Sequence, residues 1–181
     1  MAEITRVSLF GKLNPLAYKA VESATVFCKL RGNPYVELVH WFSQILQLPD
    51  SDVHHIVREF RLDPARLARD MTEALDQLPR GATSISDLSS RLDEALERAW
   101  VYGTLLFGER QVRTGRLVVG LLKTPGLRNA LSSMSREFDA IKVEQLSDRF
   151  REITEGSPED VMGPSERIQT DAAPGEASLA L

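Results

Sequence analysis

The chain has 181 residues, 43% of them hydrophobic and 27% charged, which is an ordinary globular composition with enough apolar material for a sizeable core. Its net charge is −4, and Lys and Arg are interleaved with Asp and Glu. No basic stripe of the kind that follows a phosphate backbone is present, so nucleic-acid binding is not expected. The single cysteine, Cys28, cannot form an internal disulfide; it sits in an apolar helical run and reads as a small core residue.

In chain order, the first thirteen residues carry Ile4, Val7, Phe10 and Leu13 at successive three-residue steps. That spacing suits one face of a short helix, where a loose terminus would be polar. The stretch lacks the basic and long apolar regions of a signal peptide, and no apolar run reaches the length of a membrane span. A cytoplasmic protein with no membrane contact is expected. Asn14-Pro15, Asn33-Pro34, Asp63-Pro64 and Thr124-Pro125 each place a capping side chain before a proline, predicting helix starts, and Ser84-Ile85-Ser86-Asp87 has the form of a capping box. Apolar stripes follow: Leu16, Ala20, Ala24, Phe27 and Leu30, then Val57, Phe60, Leu67, Met71 and Leu75, then Leu92, Leu96, Ala99, Val101 and Leu105. No region alternates as a strand would. The prediction is an all-α chain of about eight short helices.

"DQLPRGATSIS", Asp76 to Ser86, reads as a connection between two halves. The halves match at a nearly constant offset. Ala20–Ala24 aligns with Ala95–Ala99 at 75, Val36–Leu46 with Val112–Leu122 at 76, and Val57–Phe60 with Ser135–Phe138 at 78. A duplicated four-helix unit explains this. From Glu155 the sequence turns to Gly, Pro, Ser and acid and is expected to be disordered.

"GRLVVGLLKT", Gly115 to Thr124, comes close to a phosphate-binding loop. In that loop the lysine directly follows the second glycine. Here Leu121 and Leu122 intervene, turning Lys123 about 200° around a helix. The internal repeat gives the stretch another meaning, an amphipathic helix with Thr114 as its cap. Neither a metal site nor a catalytic constellation emerges. His54 and His55 are adjacent and diverge on a helix, His40 is distant, and no base is nominated for Cys28.

The duplicated unit, the "NPYVELVHWFSQIL" helix and the connection around Gly81 resemble the Clp N-terminal domain. "ELVHWFSQIL" stands where that family's motif is often written "EHLLLALL", a departure from the consensus. "LFGKLNPLAYKAVESATVFCKLRGNPYVELVHW" and "DLSSRLDEALERAWVYGTLLFGERQVRTG" look like the form of that domain found in ClpV (TssH), the AAA+ unfoldases of bacterial type VI secretion. The resemblance implies a pseudo-twofold all-α fold: a helical extension over 1–13, repeats over 14–80 and 81–154, and an interdomain linker over 155–181. It implies a groove that binds an N-terminal helix of the large sheath subunit, TssC or VipB, so that contracted sheaths are disassembled and recycled. No catalytic residue, metal or cofactor is expected in this chain; ATP would be used by the parent. The fragment would be a monomer and the parent a hexamer. The resemblance places Ile4, Val7, Phe10, Leu13 and Ala17 in the groove through the extra N-terminal element. The internal twofold adds Ile85, Leu88 and Leu92. An N-domain of another Clp chaperone, binding unfolded proteins or adaptors, is the open alternative.

Overall fold

The computed structural model describes residues 5–165, and within them the chain is helical almost throughout. The first half holds α1 (Arg6–Lys12), α2 (Pro15–Arg31), α3 (Leu38–Gln47), α4 (Asp52–Glu59) and α5 (Pro64–Asp76). The second holds α6 (Ser90–Phe107), α7 (Thr114–Lys123), α8 (Pro125–Met134), α9 (Val143–Asp148) and α10 (Phe150–Ile153). Single 3-10 turns lie at Arg136–Ala140 and Pro158–Val161. Two short strands, β1 (Tyr35–Val36) and β2 (Asp87–Leu88), pair in parallel.

The caps explain the boundaries. Asn14 Oδ1 accepts from Ala17 N at 2.9 Å, and Asp63 Oδ1 accepts from Ala65 N at 3.0 Å, each before a proline at the first helical position. α2 and α6 both end on a left-handed glycine, Gly32 and Gly108, where other residues would be strained. Other expected caps are placed differently. Asn33 does not open a helix. Its amide donates to the Pro79 carbonyl and its oxygen takes His40 Nε2, which leads the chain through Pro34 to β1, and α3 starts only after Glu37. Ser89, not Ser84, caps α6 through Leu92 N. Thr114 is already the first residue of α7, with its hydroxyl turned elsewhere.

The internal twofold is written into the backbone. Leu13, ahead of α2, bridges Val112, ahead of α7; Leu88, ahead of α6, pairs with Val36, ahead of α3. Asn14 N donates to the Val112 carbonyl at 3.0 Å, and Ser89 N donates to the Val36 carbonyl at 2.9 Å. Leu13 and Leu88 are 75 residues apart, and Val36 and Val112 are 76 apart, matching the sequence offset. The connection from Asp76 to Ser86 is therefore no free tether: Ala82 N donates to the Gly32 carbonyl and Ser86 N to the Pro34 carbonyl, leading the chain into β2.

One core runs through both halves, with Trp41, Phe42 and Phe138 fully enclosed. Trp41 Nε1 donates to the Ala17 carbonyl at 3.1 Å, so the indole is buried without an orphaned donor. Four residues of the expected stripes lie outside the core; Leu16 and Val101 are half-buried at its edge. Leu30 is 81% exposed and Leu105 is 78% exposed, at equivalent places near the ends of α2 and α6.

"GRLVVGLLKT" is the buried helix α7. A Cβ on Gly120 would lie 2.9 Å from the backbone nitrogen of Ala99 on α6, so this glycine sets how closely the two helices approach. Gly120→Ala should destabilise the domain by roughly 1–3 kcal/mol in urea denaturation, through forced separation of α6 and α7.

Candidate peptide-binding cleft

α1 lies across the start of the second repeat and walls a cleft of about 330 Å³. Its floor is α2 and its far side the β1–β2 pair. Val7, Phe10 and Gly11 come from α1, Tyr18, Val21 and Thr25 from α2, Val36 from β1, and Ile85, Asp87 and Leu88 from the chain entering α6; Arg6 stands at the rim. Such a lining is mostly apolar with a few polar groups at its edge, and its size is at the small end of ordinary ligand sites.

α1 is only seven residues long, and an isolated helix of that length is not stable. Thr5 Oγ1 caps it by accepting from Ser8 N at 3.2 Å. Arg6 donates to Asp87 at 2.7 Å and to Asp93 at 2.6 Å, tying the helix start to β2 and α6. These bonds to Asp93 and Asp87 hold the guanidinium above its ordinary pKa. In turn the Arg6 bond, followed by the Leu88 amide, holds the Asp87 carboxyl below its own. At the other end, Lys12 Nζ lies 5.2 Å from the centre of the Trp100 ring.

The sequence-derived residues divide by this geometry. Val7, Phe10, Ile85 and Leu88 line the cleft together, although they come from segments almost eighty residues apart. Val7 is 75% exposed and is the most open of them, whereas Phe10 also reaches the core. Leu13, Ala17 and Leu92 do not line the cleft. All three have no exposed surface: Leu13 is enclosed at its bridge to Val112, and Ala17 and Leu92 face inward on α2 and α6. Ile4 lies outside the described residues. Sequence reasoning drew on α2 only through Ala17 and missed the residues of that helix that line the cleft. Tyr18, Val21 and Thr25 fall at i, i+3 and i+7, a face next to the core stripe, and that spacing was the available signal.

A larger hollow of about 530 Å³ is bordered by Glu109, Arg110, Arg113, Arg151, Glu155 and Asp160. Several of its charges are already committed, Arg113 to Asp52 and Asp160, and Glu109 to Arg116. Its lining is more polar than that of the cleft.

Among the described residues, no group of three His, Cys, Asp or Glu side chains could hold a metal ion. His40 is enclosed and accepts from Glu37 N through Nδ1, so Nε2 carries the proton and donates to Asn33. Burial, then the charge of Arg31, lowers its pKa to about 4. The Cys28 thiol is pushed up by burial and then by Glu37, the opposite of an activated nucleophile. No described helix is long and apolar enough to cross a membrane.

The expected disorder after Glu155 does not extend over the next ten residues. Ser157–Ser165 folds back on the domain, and Glu159 has no exposed surface. Its carboxylate accepts from Asn14 Nδ2 at 2.9 Å, Asp52 N at 2.7 Å, Thr114 N at 2.8 Å and Thr114 Oγ1 at 2.5 Å. Beside it Arg113 forks onto Asp52 at 2.6 and 2.7 Å. Burial alone would lower the Arg113 pKa, but the hydrogen bonds to Asp52 outweigh it and hold the group above its ordinary value. The part of the linker reading that concerns residues 166–181 lies outside the described residues.

Residues 12–134 match the Clp repeat (R) N-terminal domain family. The AAA+ ATPase ClpV1 of Pseudomonas aeruginosa is 68% identical over all 181 residues, which make up 20% of its length; the chain thus spans about a fifth of the curated relatives it matches. A solved structure from work on the coevolution of the ATPase ClpV, the TssB-TssC sheath and the accessory HsiE protein is 71% identical. It superimposes with a TM-score of 0.85 over 88% of this chain and 98% of the other. A ClpV N-domain in complex with a VipB peptide, 24% identical, shares the fold with a TM-score of 0.74 over 88% of this chain and 97% of the other. The 181 residues hold the N-terminal domain without the ATPase modules, and the chain belongs to the Clp repeat N-terminal domain family, in the form carried by ClpV.

Proposed function

We propose that this chain is the substrate-recognition domain of a type VI secretion AAA+ unfoldase, and that its cleft takes an N-terminal helix of the large sheath subunit, TssC or VipB. The observation that carries this reading is the cleft itself. The extra N-terminal helix α1 turns the ground between α2 and the β1–β2 pair into an apolar channel. A partner helix would lay residues at i, i+3, i+4 and i+7 into it. Each buried aliphatic side chain contributes roughly 1.5–3 kcal/mol before ordering costs. A few such anchors give binding of roughly micromolar strength, weak enough to let the sheath subunit pass on to a pore. The relative solved with a VipB peptide supports the partner, and the ClpV1 relative supports ATP use in the parent. In this reading the domain is monomeric, the parent is a hexameric ring, and both work in the bacterial cytoplasm on contracted sheaths.

Amide-shift mapping by NMR tests the site. A peptide covering the first helix of the cognate large sheath subunit should perturb α1, Tyr18–Thr25 and the residues around Val36 and Leu88. Perturbation confined to the α3–α5 side, or seen only with an unfolded protein such as casein, would favour a general Clp chaperone N-domain instead.

A further inference from the structure

The C-terminal end of α1 is completed by a residue more than 150 positions away in sequence. A helix of seven residues leaves most of its last carbonyls without intrahelical donors; here only the Phe10 carbonyl has a local one, the Leu13 amide at 3.2 Å. Ser165 Oγ stands 3.3 Å from both the Phe10 and the Gly11 carbonyls, and Ser165 N donates to the Leu13 carbonyl at 2.7 Å. Ser165 is itself buried. The segment that delivers it is fixed upstream by Glu159 and by Gln111 Nε2, which donates to the Met162 carbonyl at 2.6 Å.

α1 is thus held at two ends by different means. Its start rests on the Arg6 ion pairs, which are solvent-exposed, individually weak and screened by salt. Its end rests on Ser165, on the Val112 amide, which donates to the Lys12 carbonyl at 2.7 Å, and on Lys12 over the Trp100 ring. Phe10 and Gly11, whose carbonyls the serine approaches, both line the cleft.

We propose that Ser165 is a positioning residue for the cleft, and that Ser157–Ser165 is a clasp through which the chain beyond it sets the position of the α1 wall. The cleft is then coupled to the connection that follows the domain. A pull or a displacement at Ser165 would loosen α1 and favour peptide release. By reciprocity, a bound peptide would tighten the clasp. The ligand half of this statement rests on the proposed sheath-helix function; the α1 half does not.

The test compares the 181-residue chain with Ser165→Ala and Ser165→Pro. Proline removes the backbone donor to Leu13 together with the hydroxyl, whereas alanine removes only the two longer hydroxyl contacts. Amide exchange at Val7–Leu13, thermal unfolding and anisotropy of the labelled sheath peptide are read for each. Loss of the short backbone bond, on top of the hydroxyl contacts, should raise α1 exchange about tenfold and weaken the peptide about tenfold in Ser165→Pro. Ser165→Ala should fall within about threefold of wild type, and exchange in α6 and α7 should be unchanged in both. Wild-type α1 exchange in Ser165→Pro would overturn the clasp. If Ser165→Pro unfolds globally, a chain ending at Pro164, which keeps Glu159, takes its place with the same criteria. Faster α1 exchange together with no peptide binding by the intact chain would uphold the clasp and remove the sheath-helix reading.

Discussion

Replacing Glu159 with alanine should destabilise the domain by about 2–4 kcal/mol near pH 7, read from the urea midpoint at constant slope. The carboxylate sits where the chain begins α4 and α7 and beside the cap of α2. The two helix starts favour an anion electrostatically. Removing it strands the Asp52 and Thr114 amides and the Asn14 side-chain amide, since only the Thr114 hydroxyl can turn to another partner. The loss is partly offset because an enclosed charge next to Asp52 is itself costly. That cost, burial first and Asp52 second, raises the Glu159 pKa to about 7 against the bonds from Thr114 and Asn14. With its folded pKa above the unfolded value, the group contributes stability that is fully present below about pH 4.5 and is lost as pH rises to about 7, on the order of 3 kcal/mol across the window. His40 works in the opposite sense. Its contribution is present above about pH 6.5 and is lost as pH falls towards 4. The two slopes overlap in wild type, so the difference from Glu159→Gln isolates the carboxyl. The stability gap between wild type and this variant should shrink between about pH 5 and pH 7.5, and a constant gap would show that Glu159 stays ionised throughout.

The second large effect concerns recognition. Val7→Asp should weaken the sheath peptide by at least about tenfold while leaving the unfolding midpoint near wild type. Val7 is largely exposed in the free domain, so an aspartate there costs the fold little. A bound helix would cover it, and the carboxylate would then lose water without gaining a partner. Ile85→Asp should act similarly from the opposite wall, with some loss of stability because Ile85 packs against the core. Leu105→Asp is the matched control. Leu105 is as exposed as Val7, but it lies on the end of α6 away from the cleft. Equal losses from Val7→Asp and Leu105→Asp would mean that general stickiness, not the cleft, holds the peptide.

Much of the architecture was legible because it is written in local signals. Proline-marked caps at Asn14 and Asp63 and apolar steps such as Ala20, Ala24 and Cys28 fix helices without tertiary context. The constant offset between halves gave the duplication, and the Leu13–Val112 and Val36–Leu88 pairings carry that offset into hydrogen bonds. The cleft was half legible. Spacing placed Val7 and Phe10 on one face, and symmetry brought Ile85 and Leu88 opposite. A three-residue step cannot tell a groove-facing side chain from a core one, which is why Leu13, Ala17 and Leu92 were drawn into the same set. The clasp was illegible. Gly, Pro, Ser and acid from Glu155 onward are the composition of a tether, and a single buried Glu159 reverses that reading only because three helix starts converge on it. Such convergence is a tertiary property that no window of sequence contains.

The most direct test of the recognition reading is an anisotropy titration. A labelled peptide covering the first helix of the cognate large sheath subunit is titrated with the 181-residue chain, with Val7→Asp and Leu105→Asp alongside. The cleft reading predicts saturable binding in roughly the micromolar range, lost in Val7→Asp and kept in Leu105→Asp. No binding by the folded wild-type chain, or equal binding by all three proteins, would contradict it.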